Sequence, residues 1–266
     1  MFRAAWLTDL HLNFVRDGEA IALLQSVSQK TTSAVFISGD ISEGSELDHH
    51  LELIATHLAC PVYFVLGNHD FYHSSFGAVH RVVEAACARH LELMWLSKAD
   101  FVELTPSTAL VGHDGWADAR LGDYERSLVS MNDHFLIEDF VGLNKQERLP
   151  LLHSLGDEAA AHLARVLPHA LERYAHVVVL THVPPFRGAC WHQGQISDDH
   201  WLPHFTCDAV GQALLRALRA HPEKRITVLC GHTHGAGEYA PLDNLRVITG
   251  GAEYGRPTVQ QTIEFD

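Results

Sequence analysis

The sequence predicts an α/β fold built on strands that are buried from both sides, and three observations predict it. Short runs made wholly of apolar residues recur along the chain. Stretches of helical period separate them, and residue types that ligate metals stand directly behind the runs.

Ala4–Leu7 reads as the first strand, Glu19–Ser28 as a helix and Ala34–Ser38 as the second strand. Leu47–Leu58 is a helix whose apolar stripe runs Leu47, Leu51, Ile54, Ala55, Leu58, and Val62–Leu66 is the third strand. Phe76–His90 follows as a helix, then strands at Leu91–Leu96 and Thr108–Gly112 and a long polar stretch of weaker helices to Pro150. An Ala-rich helix spans Asp157–Tyr174, and Pro168 is expected to kink or end it. Val177–Leu180 is a buried strand. Residues 183–205 hold three prolines and two tryptophans without periodicity and read as a long loop. Asp208–Ala220 is a helix with Thr206 or Asp208 as its cap, and strands at Ile226–Cys230, Glu238–Tyr239, Leu245–Thr249 and Thr258–Ile263 complete the order. No repeat, low-complexity tract or linker divides the chain, so residues 1–266 are expected to form a single domain.

Composition narrows the function. The chain carries 19 basic and 33 acidic residues, a formal charge of −14, which argues against an extended nucleic-acid surface. No apolar run reaches the length of a membrane span, and polar Thr8-Asp9 follows the short apolar start at once, so neither a membrane segment nor an export signal is expected. The five cysteines, Cys60, Cys87, Cys190, Cys207 and Cys230, are odd in number, lie far apart and form no C-x-x-C pair. A disulfide framework, a thiolate zinc site and a cysteine nucleophile are all set aside, and a cytoplasmic setting is expected.

The chemistry lies behind the strands. In order, the runs end in Asp9-Leu10-His11, Gly39-Asp40, Gly67-Asn68-His69-Asp70, Thr181-His182 and Gly231-His232-Thr233-His234. The carboxyl edge of an α/β sheet is where ligands bind. The intervals of 31 and 28 residues from Asp9 to Asp40 and from Asp40 to Asn68 are each about one crossover unit. His-x-His alone carries no weight, because with 21 histidines chance supplies roughly 1.6 such pairs. Gly-Asn-His-Asp is another matter, with a chance expectation of roughly 0.002. Asp9, His11, Asp40, Asn68, His182, His232 and His234 are more donors than one ion takes, and two ions would share them if one carboxylate bridged. Mixed nitrogen and oxygen donors without thiolate suit Mn²⁺, Fe²⁺/Fe³⁺, Zn²⁺, Co²⁺ or Ni²⁺. Two such ions clamp an in-line displacement at phosphorus, so the reaction class is metal-assisted hydrolysis of a phosphate ester.

This motif set, from Asp9-x-His11 to Gly231-His232-x-His234, resembles that of the calcineurin-like metallophosphoesterases. The resemblance implies a four-layer α/β/β/α sandwich of two mixed sheets with a dinuclear site at the strand ends. It implies that Asp9, His11, Asp40 and His234 bind one ion and that Asp40, Asn68, His182 and His232 bind the other, with Asp40 as the bridge. It implies attack by a metal-bridging hydroxide without a phospho-enzyme, with His69 stabilising the transition state and protonating the leaving oxygen. Departures are informative. The protein phosphatases of the family carry Gly-Asp-x-x-Asp-Arg, whereas Asp40 is followed here by Ile41-Ser42-Glu43-Gly44, so their phosphate-gripping Arg is absent. The purple acid phosphatases place a ligating Tyr at the position of Glu43. Glu43 instead matches the carboxylate that orients the catalytic histidine, and Glu43, or failing that Asp70, is expected to fix the tautomer of His69. The lipid-A-pathway members have Arg where His69 stands.

Asn68, His113 behind strand Thr108–Gly112, and Arg187 in the long loop are the candidate substrate contacts; a loop tryptophan, Trp191 or Trp201, could stack on a base or aromatic leaving group. The expected activity is that of a phosphodiesterase on a small ester such as a nucleotide or cyclic nucleotide, since the motifs hold no arginine pair for a dianionic monoester. A phosphomonoesterase or nuclease of the same fold, and a protein-binding scaffold that retains the metal site, are the alternatives.

Overall fold

A strand that is apolar at every position needs a partner layer on each face, and the chain supplies these as two facing sheets. The computed structural model describes residues 1–30 and 32–266. Its first half contains β1 (Phe2–Leu7), α1 (Asp17–Ser28), β2 (Ala34–Ser38), α2 (Leu47–His57), β3 (Val62–Val65), α3 (Phe76–Arg89), β4 (Leu93–Trp95), β5 (Val102–Thr105) and β6 (Thr108–Gly112). Then come α4 (Asp133–Leu136), α5 (Lys145–Arg173), β7 (His176–Leu180), β8 (Trp191–His192), β9 (Gln195–Ile196), α6 (Leu202–Phe205) and α7 (Asp208–Ala220). The last elements are β10 (Arg225–Cys230), β11 (Gly237–Leu242), β12 (Leu245–Thr249) and β13 (Val259–Phe265).

The first sheet has the order β13-β1-β2-β3-β4 and the second β11-β12-β10-β7-β6-β5, both mixed. In the first, β1 to β4 run parallel and β13 runs antiparallel to β1. In the second, β12, β10, β7 and β6 run parallel, with β11 and β5 antiparallel at the edges.

Alternation along each strand sorts side chains into three cores, which makes four layers. On β1 and β2, Ala5, Leu7, Val35 and Ile37 face α1–α3. Ala4, Trp6, Ala34 and Phe36 face the other sheet, where they meet Leu110, Val178, Leu180 and Leu229. Val177, Val179, Ile226 and Val228 turn the other way, onto α5 and α7. At about 1.5–3 kcal/mol for each large apolar side chain fully buried, these layers dominate the folding free energy.

Four local expectations are corrected. The helix expected at Asp157–Tyr174 begins at Lys145, contains both Pro150 and Pro168, and is not ended by either. Asn144 caps it by accepting from the N–H groups of Gln146 and Glu147. An interior proline costs about 3 kcal/mol, but Leu163, Val166, Leu167 and Leu171 are all buried beside Pro168, which outweighs that cost. Strand β5 was not foreseen. The stretch read as a structureless loop carries the β8–β9 hairpin and α6. Neither Thr206 nor Asp208 caps α7: Asp118, which lies far off in sequence, accepts from the Ala209 N–H at 2.8 Å, and the Thr206 hydroxyl donates to the Leu202 carbonyl. Among the described residues no helix is long and apolar enough to cross a membrane.

Candidate metal centre

Parallel strands put their carboxyl ends at one edge, and here two facing sheets do so at the same edge. Asp9 and His11 follow β1, Asp40 follows β2, and Asn68 and His69 follow β3. His182 follows β7 and His232 and His234 follow β10. The loops are laced together by the main chain: the N–H of Asp9 donates to the Gly39 carbonyl at 3.0 Å, that of His11 to the Asp40 carbonyl at 2.9 Å, and that of Gly231 to the His182 carbonyl at 2.9 Å. All seven candidate ligands are brought into one cluster.

The backbone pays for this convergence in strain. Among the described residues eight non-glycine positions have positive φ, and five of them are candidate ligands: Asp9 (48°), His11 (43°), Asp40 (51°), His232 (71°) and His234 (56°). Left-handed backbone costs an L-residue roughly 1–2 kcal/mol, so the fold concentrates its strain where these side chains must be aimed. Two glycines permit the close approach. A Cβ at Gly67 would fall 2.1 Å from Asp40 Oδ1, and one at Gly231 would fall 2.0 Å from Asp9 Oδ2.

The donor atoms point inward. His11 Nε2 lies 3.1 Å from His234 Nε2, a meeting of two imidazole nitrogens that suits a shared cation. Asp9 spends its oxygens on the His232 N–H at 2.9 Å and the Thr8 hydroxyl at 2.7 Å, with Oδ1 also 3.4 Å from His234 Nε2. Asp40 Oδ1 accepts from the His69 N–H at 2.9 Å. Its Oδ2 stands between the two halves of the cluster, 3.7 Å from His11 Nε2 and 3.3 Å from His182 Nε2. The His182 ring donates from Nδ1 to the Ser38 carbonyl at 2.9 Å, which turns Nε2 toward Asp40 and places it 3.2 Å from Asn68 Oδ1. The His232 ring donates from Nε2 to the His204 carbonyl at 3.0 Å, which leaves Nδ1 as its free nitrogen.

The electrostatics call for positive charge. Burial opposes ionisation of Asp40, yet the facing His182 and His69 hold it well below the usual carboxylate range. Burial likewise opposes the charged form of His182, but Asp40 lifts that imidazole to about 10. His11 and His232 are driven the other way by burial, to about 4 and about 3, and so are neutral, as imidazole ligands must be. The residues present therefore fit two cations held by nitrogen and oxygen. Asp9, His11, Asp40 and His234 already bring one donor atom each within 4.8 Å of the others.

His69 stands at the wall of the cleft, its ring 4.5 Å from that of His11 and 4.2 Å from that of Tyr72, centroid to centroid. Neither carboxylate expected to orient it does so: its Nδ1 is buried without a partner. Glu43 instead faces His73, 3.7 Å away. Asp70 lies on a tight turn that points it inward, where it accepts from the Ser42 and Gly67 N–H groups, both at 2.8 Å. Asp70 thus ties the loops behind β2 and β3, and burial together with Asp40 pushes its carboxyl well up. The ring neighbour that sequence reasoning missed is Tyr254, whose hydroxyl is 3.5 Å from His69 Nε2.

Asp133 was also missed. One of its oxygens accepts from Asn68 Nδ2 and from the Tyr72 hydroxyl, each at 2.8 Å, so the Asn68 amide is turned with its oxygen toward His182. No local motif marks Asp133; it arrives on the four-residue helix α4. Asp133→Ala is expected to weaken metal binding at the Asn68 half of the centre about 10–100-fold, read by competition with a chromophoric chelator. Unaltered affinity would mean that Asn68 needs no such support.

A cleft of about 590 Å³ opens over the cluster, lined by Asn68, His69, Tyr254, the segment Ser130–Asn132, the β8–β9 hairpin, Trp201 and Phe205. Of the three candidate substrate contacts only Asn68 reaches it. His113 lies on the helix side of its sheet, its ring 5.2 Å from that of His162, in a separate cavity of about 130 Å³ with His80 and Trp95. The cause is the turn at Gly115, behind which Trp116 packs on Phe71 and Phe76 and draws the loop away from the candidate ligand cluster. Arg187 faces outward and pairs with Asp199 at 2.7 Å. Trp191 is covered by Gly235 and Gly237 rather than offered to a ligand.

Comparison with known proteins agrees with this geometry. Residues 2–236 match the family model described as calcineurin-like phosphoesterase. The fold is similar to that of phosphopantetheinyl hydrolase from Mycobacterium tuberculosis, with 17% identity, a TM-score of 0.63, and 93% of this chain and 89% of that chain covered. It is similar as well to a dimetal phosphatase from Danio rerio, with 18% identity, a TM-score of 0.60, and 98% and 91% covered. No curated protein matches the chain in sequence. With 235 of its residues inside one family model and the motif residues of that family gathered at a single edge of two facing sheets, the chain belongs to the calcineurin-like phosphoesterases.

Proposed function

We propose that the protein is a dinuclear metal-dependent phosphodiesterase acting on small phosphate esters. The family supports metal-dependent phosphoester hydrolysis; the observation that carries the preference for diesters is the cleft, whose lining includes no lysine or arginine among the described residues. A dianionic monoester would find no cation there beyond the metals. In this reading Asp9, His11, Asp40 and His234 hold one ion, and Asp40, Asn68, His182 and His232 hold the other. When bound, such ions withdraw electrons from the phosphoryl oxygens and lower the pKa of water.

The chain's own residues do the rest. Asp40 sets the spacing of the two halves, and Asp133 holds Asn68 in register. In the hydrolysis a bond forms between phosphorus and a water oxygen, and the bond from phosphorus to the leaving oxygen breaks. His69, at the cleft wall, is placed to hand the leaving oxygen its proton, and Tyr254 stands at its outer nitrogen. The donor chemistry supports Mn²⁺, Fe²⁺/Fe³⁺, Zn²⁺, Co²⁺ or Ni²⁺. The five free cysteines support a reducing, cytoplasmic setting. The test is turnover by protein stripped with chelator and reloaded with Mn²⁺. Bis(p-nitrophenyl) phosphate is expected to be hydrolysed faster than p-nitrophenyl phosphate, and only after reloading. Faster turnover of the monoester would overturn the diester assignment.

A further inference from the structure

Two ladders of aromatic rings climb outward from the candidate centre; Trp201, Phe205 and Tyr254 line the cleft, and Phe14 backs Tyr254. On one side the ring of His232 lies 4.7 Å from that of Phe205, and Phe205 lies 5.6 Å from Trp201. On the other, Tyr254 lies 4.6 Å from His11 and 4.9 Å from His234, and Phe14 lies 4.9 Å from Tyr254. The outer rings remain open to solvent: Trp201 is 46% exposed, Tyr254 48% and Phe14 51%. Large rings left half in water on both sides of a reactive centre, each backed by another ring, form stacking surfaces already held in place.

The polar groups between them are uncharged. Ser130, Asn132, Gln193 and Gln195 line the cleft, and among the described residues its only formal charge besides the candidate ligands and neighbouring histidines is that of Asp198. Such side chains donate to and accept from the edge of a neutral ring, and they offer nothing to a second phosphate. A further phosphate would set its charge against Asp198 with no cation to offset it.

We propose that the cleft is an aromatic subsite that selects single-phosphate esters whose organic group is a flat, uncharged ring, stacked on Trp201 with its polar edge toward Gln193 and Gln195. This rests on the phosphoesterase reading and names its substrate class. A nucleobase and a plain phenyl ring share the required chemistry.

Three diesters with one leaving group test it on manganese-loaded protein: methyl, phenyl and thymidine 5′ p-nitrophenyl phosphate, with the thymidine ester also prepared carrying a 3′-phosphate. The phenyl ester is expected to exceed the methyl ester about tenfold in kcat/KM, mainly through KM. The extra phosphate is expected to abolish the gain made by the thymidine ester. Trp201→Ala is expected to bring the phenyl-to-methyl ratio near one, and Trp201→Phe to retain it. A thymidine ester better than the phenyl ester identifies the ring as a nucleobase; the reverse identifies a simple arene.

Calorimetry with phenylphosphonate and methylphosphonate, which are not hydrolysed, separates this inference from the reading beneath it. Tighter binding of phenylphosphonate that depends on Trp201 sustains the subsite even if no ester turns over, and the hydrolase reading then falls alone. Equal binding of the two phosphonates, or a preference untouched by Trp201→Ala, overturns the subsite even where turnover is fast.

Discussion

Asp40→Asn is expected to lose turnover by about 10³-fold or more and to retain at most one metal ion per chain. The carboxylate has two separate duties. Its Oδ1 receives the His69 N–H at 2.9 Å, and its Oδ2 faces His11 and His182 at 3.7 and 3.3 Å. An asparagine can keep only one of them. If its oxygen serves His69, an NH₂ group is aimed at the point that must attract cations. If its oxygen turns toward the cations, the His69 amide loses its acceptor in a buried setting. Losing the bridge removes several kcal/mol of charge stabilisation, and about 4 kcal/mol corresponds to 10³ in rate. Metal content by mass spectrometry, with circular dichroism as the fold control, checks the cause. Two ions bound at wild-type affinity with wild-type turnover would remove Asp40 from the bridge.

His69→Ala should behave differently, keeping both metal ions while kcat falls by about 10²–10⁴-fold for an ester with an alkoxide leaving group. The ring lies beside the cluster, and its nitrogens make no bond to the candidate ligands; only its backbone N–H does. Alanine preserves that N–H. The deficit should shrink sharply with p-nitrophenolate, which leaves without a proton. Equal losses with both leaving groups would assign His69 to phosphate binding rather than proton delivery. Because neither Glu43 nor Asp70 touches the ring, Glu43→Gln should leave the rate within about twofold of wild type, in contrast to the coupling that the sequence alone suggested.

Several features were legible in the sequence because they are local. A wholly apolar run of five residues can be satisfied only between two layers, and a ligand-type residue two places beyond it lands on the sheet edge. The same rule failed at His113. That residue also follows a buried strand, but the packing of Trp116 on α3 and on the turn behind β3, together with the turn at Gly115, decides where its loop goes. The continuity of α5 through two prolines was hidden for a similar reason, since the propensity cost is local and the compensating burial is not. Asp133, Tyr254 and the Asp118 cap of α7 reach their partners over 65, 185 and 91 positions of chain. No spacing rule reaches so far. Glu43 was misassigned because motif position fixes a Cα, whereas a hydrogen bond needs the side chain to turn the same way.

Strand β13 pairs with β1 along its length, Phe2 against Phe265 and Ala4 against Ile263. During synthesis, β1 therefore leaves the ribosome well before its outer partner. At about 5–20 residues per second, one edge of the first sheet stays unpaired for tens of seconds. Asp9, His11, Asp40 and Asn68 are displayed in that interval without His182, His232 and His234. The nascent protein thus carries an open apolar edge, prone to pairing with other chains, and half of the candidate ligand set. Assembly of the full candidate ligand set must wait until β10 has emerged, and the yield of folded protein in a cell is expected to depend on how well that edge is shielded until β13 arrives.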